Sequence, residues 1–192
     1  KASVTIRGVD QVSPVIGSEL RRNALIALGL SVLAMLVYIA IRFEPQFAIA
    51  AIVADIHDVL ITIGLFSVLK LPVDTYFIPA VLTVFGYSIN DTIVVFDRIR
   101  ENLKKRRKEP LAEVIDRSIN QVFTRSLNTT ITTMLAIGAV YLFGGVTIRD
   151  MALALLVGVA TGAYSSIGVA SPLYHLLVER QAARRAARPV HA

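Results

Sequence analysis

One aspartate stands inside a stretch of chain that otherwise suits lipid. Asp91 falls in the apolar run from Tyr76 to Phe96, where Tyr87, Asn90, Asp91 and Val94 occupy i, i+3, i+4 and i+7. That spacing places Asn90 and Asp91 near one face of a helix. Holding a charge at mid-membrane costs at least ~2.5 kcal/mol even on the lenient insertion scale, so the side chain is expected to face protein or water. The next apolar run carries Arg125, Asn128, Thr129, Thr132 and Thr133 as a polar stripe at helical spacing. Asp91 lies seven residues from Arg98, about 10 Å above the inner membrane surface at ~1.5 Å per residue. Arg125 sits a few residues inside the inner end of a helix running back antiparallel, so the two reach similar depth. The chemistry this permits is proton uptake and release by Asp91, coupled to Arg125 and the Asn/Thr stripe. Burial and a nearby guanidinium act on a carboxylate in opposite senses, and that balance can set it near working pH. Two quieter readings stand beside the relay. The pair could be a static buried ion pair that fixes helix register, or Arg125 could snorkel to the inner surface.

The run before these holds Asp55, His57 and Asp58. His57 and Asp58 are neighbours and diverge by about 100° on a helix, so they do not readily ligate one ion. They read as hydrogen bonders between helices; Asp55 reads either as facing an aqueous cavity or as lying at the inner interface. The last run places Gly158, Gly162, Ser165 and Ser166 on its length, small residues that let helix backbones approach closely. There is no Gly-rich phosphate loop, no nucleophile with its base and no His pair at metal spacing. The expectation is a protein without catalytic residues, metal or organic cofactor, with protons as the coupling ion. The sequence has no cysteine, which excludes disulfides and thiolate metal sites.

The elements that must position these groups are five apolar runs. Of 192 residues 55% are hydrophobic and the mean hydropathy is +0.64, more than an ordinary soluble domain carries. The runs are long and nearly uncharged, which suits lipid rather than a soluble core. Spans are expected at about 23–41, 47–69, 76–96, 122–143 and 151–178, each near the roughly 20 residues needed to cross ~30 Å of hydrocarbon. Short connections make consecutive helices antiparallel neighbours. Residues 1–22 read as the end of an outside domain and its approach to the membrane. Within them Ala2 to Val9 alternates like a strand, and Pro14 and Gly17 break the pattern. Residues 97–121 read as a basic inner segment with a helical continuation, a break at Pro110, and a short amphipathic helix bearing Leu111, Val114, Ile115 and Ile119. That helix is expected to lie along the membrane surface, or else to form a plain hairpin extension. Residues 179–192 form an inner tail. Thirteen of the Lys and Arg residues fall on one set of loops and the tail, which places those loops and the C-terminus in the cytoplasm and the N-terminal stub outside. The net charge of +6 is then a topology signal touching anionic lipid rather than a nucleic-acid surface.

These motifs resemble a family. The segment Gly86 to Asn102 is similar to the signature of SecF proteins. His57 to Thr62, Arg117 to Gln121 with Arg125, Gly162 to Ile167, and Ser171-Pro172-Leu173 match in order, as do Pro14, Gly17 and Glu19 to Arg22 upstream. The resemblance implies an all-α membrane protein, with five of an expected six transmembrane helices in an antiparallel bundle and a short extracytoplasmic N-terminal stub. It implies an accessory subunit of the Sec protein translocase in the bacterial inner membrane, using the proton gradient with SecD to assist preprotein export. The partners it implies are SecD, the SecYEG translocon, a YajC-type accessory subunit and a membrane insertase. It maps Asp91 to the family's proton-pathway aspartate and Arg125 to its partner arginine, with Asn90, Asn128, Thr129, Thr132, His57 and Asp58 as supporting polar groups. The alternatives are a proton-driven small-molecule exporter of the same superfamily (resistance-nodulation-division) and a passive translocon scaffold.

Overall fold

The computed structural model describes residues 14–42, 44–74, 76–106 and 108–186. The strand expected at Ala2 to Val9 and the last residues of the tail lie outside them. The described chain is helical: α1 (Pro14–Arg42), α2 (Pro45–Val68), α3 (Phe77–Lys105), α4 (Leu111–Phe143), α5 (Val146–Ser165), a π-helical turn (Ser166–Ala170) and α6 (Ser171–Ala186). Among the described residues four helical stretches are long and apolar enough to cross a membrane: α2, α3, α4 and the continuous Val146–Ala186. In α1 the apolar stretch is shorter, Leu25–Ile39.

The helix ends follow from local sequence. Pro45 opens α2 at the position where a missing N–H and a fixed φ cost nothing. Pro14 and Gly17, expected to break the strand pattern before them, lie in α1. α2 closes with a left-handed residue, Lys70 at φ 53°. The Leu71 amide donates to Phe66 O at 3.0 Å and the Lys70 amide to Ser67 O at 3.2 Å, a Schellman closure in which lysine takes the place usually held by glycine. Asp74 then accepts from the Tyr76 and Phe77 amides at 2.9 and 3.0 Å, satisfying donors at the start of α3.

Contact pairs fix the directions. Phe47 meets Phe96, and Phe66 meets Phe77, so α2 and α3 run antiparallel. Asn102 bonds Ser118 and Asp91 bonds Ser126, so α3 and α4 do too. Gly158 lies over Val84, Gly162 over Ser88, and Ser166 bonds Thr92, so α5 runs parallel to α3 in fixed register. α5 is the central helix, packed against α2, α3 and α4.

Two apolar clusters bracket the bundle. One joins Ile39, Phe47, Phe96, Ile99, Ile115, Val122 and Tyr174, with Phe47 stacked on Tyr174 at 3.8 Å between centroids. The other joins Phe66, Phe77, Ala80, Val81 and Ala154. The layer between them is polar, and it holds the candidate site.

Helix boundaries depart from the expected spans. α3 continues past Phe96 to Lys105, and α4 begins at Leu111, before Val122. The amphipathic stretch is therefore the first turns of α4 and not a separate helix on the membrane surface. Val114 and Ile115 are buried against the bundle, which is the hairpin alternative. Asn102 Nδ2 donates to Ser118 Oγ and Gln121 Oε1, both at 2.8 Å, and Glu109 pairs with Arg117 at 2.8 Å. Near the tip, Glu101 accepts from Lys105 and Arg98, and these hydrogen bonds, Lys105's first, hold its carboxyl below the usual range. The last helix starts at Val146, five residues before the expected Met151, and reaches Ala186, with the π turn inside it.

Candidate functional site: a polar layer across the bundle

Three carboxylates are buried in the middle layer: Asp55 at 1%, Asp58 at 0% and Asp91 at 8% exposure. A helix packed on several sides has no water to hydrate such groups, so each must find partners or change protonation. Asp58 is the best supplied. Its Oδ2 accepts from Ser88 Oγ of α3 and Ser165 Oγ of α5, each at 2.5 Å. Its Oδ1 lies 3.0 Å from His57 Nδ1. His57 and Asp58 thus meet each other despite diverging along the helix, and Asp58 is the hydrogen-bonding link between helices expected of it.

Asp91 is held differently. Its Oδ1 accepts from Ser126 Oγ of α4, while its Oδ2 is buried without a partner. Thr92 Oγ1 lies 3.0 Å from Ser166 Oγ in the π turn, so Ser165 and Ser166 connect the surroundings of Asp58 to those of Asp91. Close approach makes this possible. A Cβ at Gly162 would stand 3.1 Å from Ser88 Cβ, and one at Gly158 would be driven into Val84. The glycines bring α5 against α3 as the small-residue pattern implies.

The remaining expected residues fall elsewhere. Asn90 is exposed while its neighbour Asp91 is buried, since one residue turns a helix by about 100°. Arg125 is exposed and makes no ion pair among the described residues; Asp91 bonds to the adjacent Ser126, at the depth expected for Arg125. Asn128, Thr129 and Thr132 are exposed. Thr129 and Thr132 turn their hydroxyls back to the Arg125 and Asn128 carbonyls at 2.9 Å, which satisfies them without a neighbouring helix. α4 buries one narrow face, Val114, Ser118, Val122, Ser126 and Thr130, and its polar stripe is left uncovered by the described residues. Ser88, Thr92 and Ser126 carry hydrogen bonds that the sequence reading did not assign. The signal for Ser126 was its place at i+4 from Val122 and i+8 from Ser118, on the one buried stripe of α4.

Among the described residues no three His, Cys, Asp or Glu side chains gather. The arrangement suits proton exchange, with hydroxyls in a water-poor layer between carboxylates on separate helices.

Residues 1–180 match the family described as protein export membrane protein SecD/SecF, C-terminal. Protein translocase subunit SecF of Sebaldella termitidis is 54% identical over 169 residues, covering 88% of this chain and 55% of the relative. Protein translocase subunit SecDF of Thermus thermophilus is 46% identical over 184 residues, covering 96% of this chain and 25% of the relative. Among solved structures, SecDF in its super-membrane-facing form superposes with a TM-score of 0.84 at 44% identity, over 93% of this chain and 24% of that one. The Thermus thermophilus SecDF, described as translocon-associated, gives 0.83 at 48% identity, over 88% of this chain and 23% of that one. The chain spans about half the length of the SecF relative and a quarter of the SecDF ones.

Proposed function

This chain belongs to the SecD/SecF C-terminal family, and from that premise we propose that it serves as an accessory subunit of the Sec protein translocase, assisting preprotein export at the expense of the proton gradient. The observation that carries the proposal is Asp91: a carboxylate buried in a membrane helix, bonded across to α4 through Ser126, with its second oxygen unpartnered. A group so placed is sensitive to any rearrangement of α3 against α4, and its protonation can in turn favour one arrangement. The work is conformational, with no covalent chemistry and no cofactor beyond the proton.

In this reading the chain spans the bacterial inner membrane five times, α1 included. The N-terminal stub lies outside, and the α3–α4 hairpin and the C-terminus lie in the cytoplasm. SecD is the partner proposed for the uncovered side of α4, where Arg125, Asn128, Thr129 and Thr132 are exposed at membrane depth. Polar groups there are expensive against lipid and are expected to meet protein or a water-filled path. Arg125 then acts on Asp91 in the assembled pair, one residue from the Ser126 contact. SecYEG and a YajC-type subunit or insertase are the further partners.

The test is gradient-dependent completion of preprotein translocation in membrane vesicles, comparing wild type with Asp91→Asn at equal complex abundance. Loss of the gradient-dependent part with assembly intact supports the motor. An undiminished gradient-dependent part overturns it and leaves the chain the role of a scaffold.

A further inference from the structure

Among the described residues Asp55 is the most isolated of the buried carboxylates. It is 1% exposed, and neither of its oxygens has a hydrogen-bond partner. It stands one turn before Asp58 on the same helix, and Ser88 of α3 lies beside both. The Ser88 hydroxyl gives its proton to Asp58 Oδ2 at 2.5 Å, which leaves lone pairs on Ser88 Oγ to accept. An ionised Asp55 would need donors that the site does not supply. A protonated Asp55 has a donor of its own, and Ser88 beside it supplies the acceptor once the two close to hydrogen-bonding distance. We infer that Asp55, Ser88 and Asp58 form a second proton-holding site, distinct from Asp91, in which one proton is shared between two carboxylates through the serine hydroxyl.

The exchange balances. Asp55 passes its carboxyl proton to Ser88 Oγ while Ser88 passes its hydroxyl proton to Asp58. Two O–H bonds break and two form, and the negative charge moves from Asp58 to Asp55. Ser165, the other donor to Asp58, then loses an ionised acceptor. It is followed directly by Ser166, the partner of Thr92, so the shift is felt beside Asp91 as well. The ionisable groups around the site are few. On α2 there is His57, bonded to Asp58 Oδ1. The apolar part of α3 adds Tyr87 and Asp91, and α5 with the π turn carries no charged side chain from Met151 to Ala170. Among the groups described on α1 and α6 the charged ones are Glu19, Arg22, Arg42, His175, Glu179 and the arginines that end α6. Two carboxylates this close do not both ionise readily in a dry layer.

The inference deepens the proton-coupled reading and rests on it for its purpose, but it can be read separately. The full-length protein in complex with its partner, reconstituted in lipid, is examined by infrared spectroscopy for the carbonyl stretch of buried protonated carboxyls. Wild type is compared with Asp55→Asn, Ser88→Ala and Asp91→Asn, each shown first to insert and purify as a single species. The expected result is a band that Asp91→Asn retains, that Asp55→Asn reduces by one carboxyl equivalent, and that Ser88→Ala shifts in frequency as the hydroxyl bridge is lost. A spectrum unchanged by Asp55→Asn overturns the second site, whether or not Asp91→Asn alters it. The motor reading fails separately, by the translocation assay with Asp91→Asn.

Discussion

Adding one methyl group at Gly158 should push α3 and α5 apart. A Cβ built there stands 2.8 Å from Val84 Cβ, with both Val84 methyls closer still. Packed carbons ordinarily settle about 3.5–4.0 Å apart, and the nearer Val84 methyl is only 2.0 Å away, so relief requires a separation of about 1.5–2 Å. Val84 is 1% exposed and faces α5 across an extensive helix–helix contact, so the methyls have nowhere to turn. Overpacking of this kind costs about 1–3 kcal/mol. Against it stands the helix preference for Ala over Gly, about 1 kcal/mol in water. That gain is removed by reference to Gly86→Ala and Gly64→Ala, where an added Cβ meets nothing within 4 Å. Gly158→Ala should therefore fall about 1–3 kcal/mol below those controls in thermal or denaturant unfolding of the purified protein in detergent. The same displacement stretches the contacts Ser88, Ser165 and Thr92 make in the polar layer. Val84→Ala combined with Gly158→Ala should recover most of the loss, because the space removed by one change is restored by the other. Equal stability of Gly158→Ala and Gly86→Ala, or no rescue by Val84→Ala, would refute the close-approach argument.

Phe47→Ala should cost about 3–5 kcal/mol in the same unfolding assay, since Phe47 is 1% exposed between Tyr174 and Phe96; Phe47→Leu should lose distinctly less. Asn102→Ala removes the buried bonds to Ser118 and Gln121 at about 1–3 kcal/mol. It should speed tryptic cleavage around Arg106 and Lys108 several-fold while leaving the midpoint of global unfolding little changed.

The long, nearly uncharged runs of α2, α3, α4 and the last helix were legible because apolar composition over that length has one economical solution, a helix in lipid. The polar ends of those helices were not legible in the same way. α3 and α4 continue well past their apolar parts because each supplies the other with partners, such as Asn102 to Ser118, and such pairing leaves no hydropathy signal. Asp91, Asp58, Gly158 and Gly162 were found by residue type, since each is costly or wasteful in a lipid-facing helix. Ser88 and Ser126 were overlooked for the opposite reason: a serine in a membrane helix can bond its own backbone, and only the packing shows which hydroxyl is spent on a carboxylate. The π turn at Ser166–Ala170 also had no local marker, although the serines at its edges were noted.

The hairpin of α3 and α4 gives the polar layer mechanical reach. Fourteen residues separate Asp91 from Lys105, a rigid arm of about 21 Å at ~1.5 Å per residue. The arm is braced along its length by Asn102, Ser118 and Gln121 and at its base by the Asp91–Ser126 contact. If α3 tilts by about 10° at Asp91, the tip is carried sideways by about 4 Å, with the arm length taken from the same helical rise. A change no larger than the loss of one hydrogen bond in the bundle is thereby magnified at the far end of the arm, where another protein could feel it as a push.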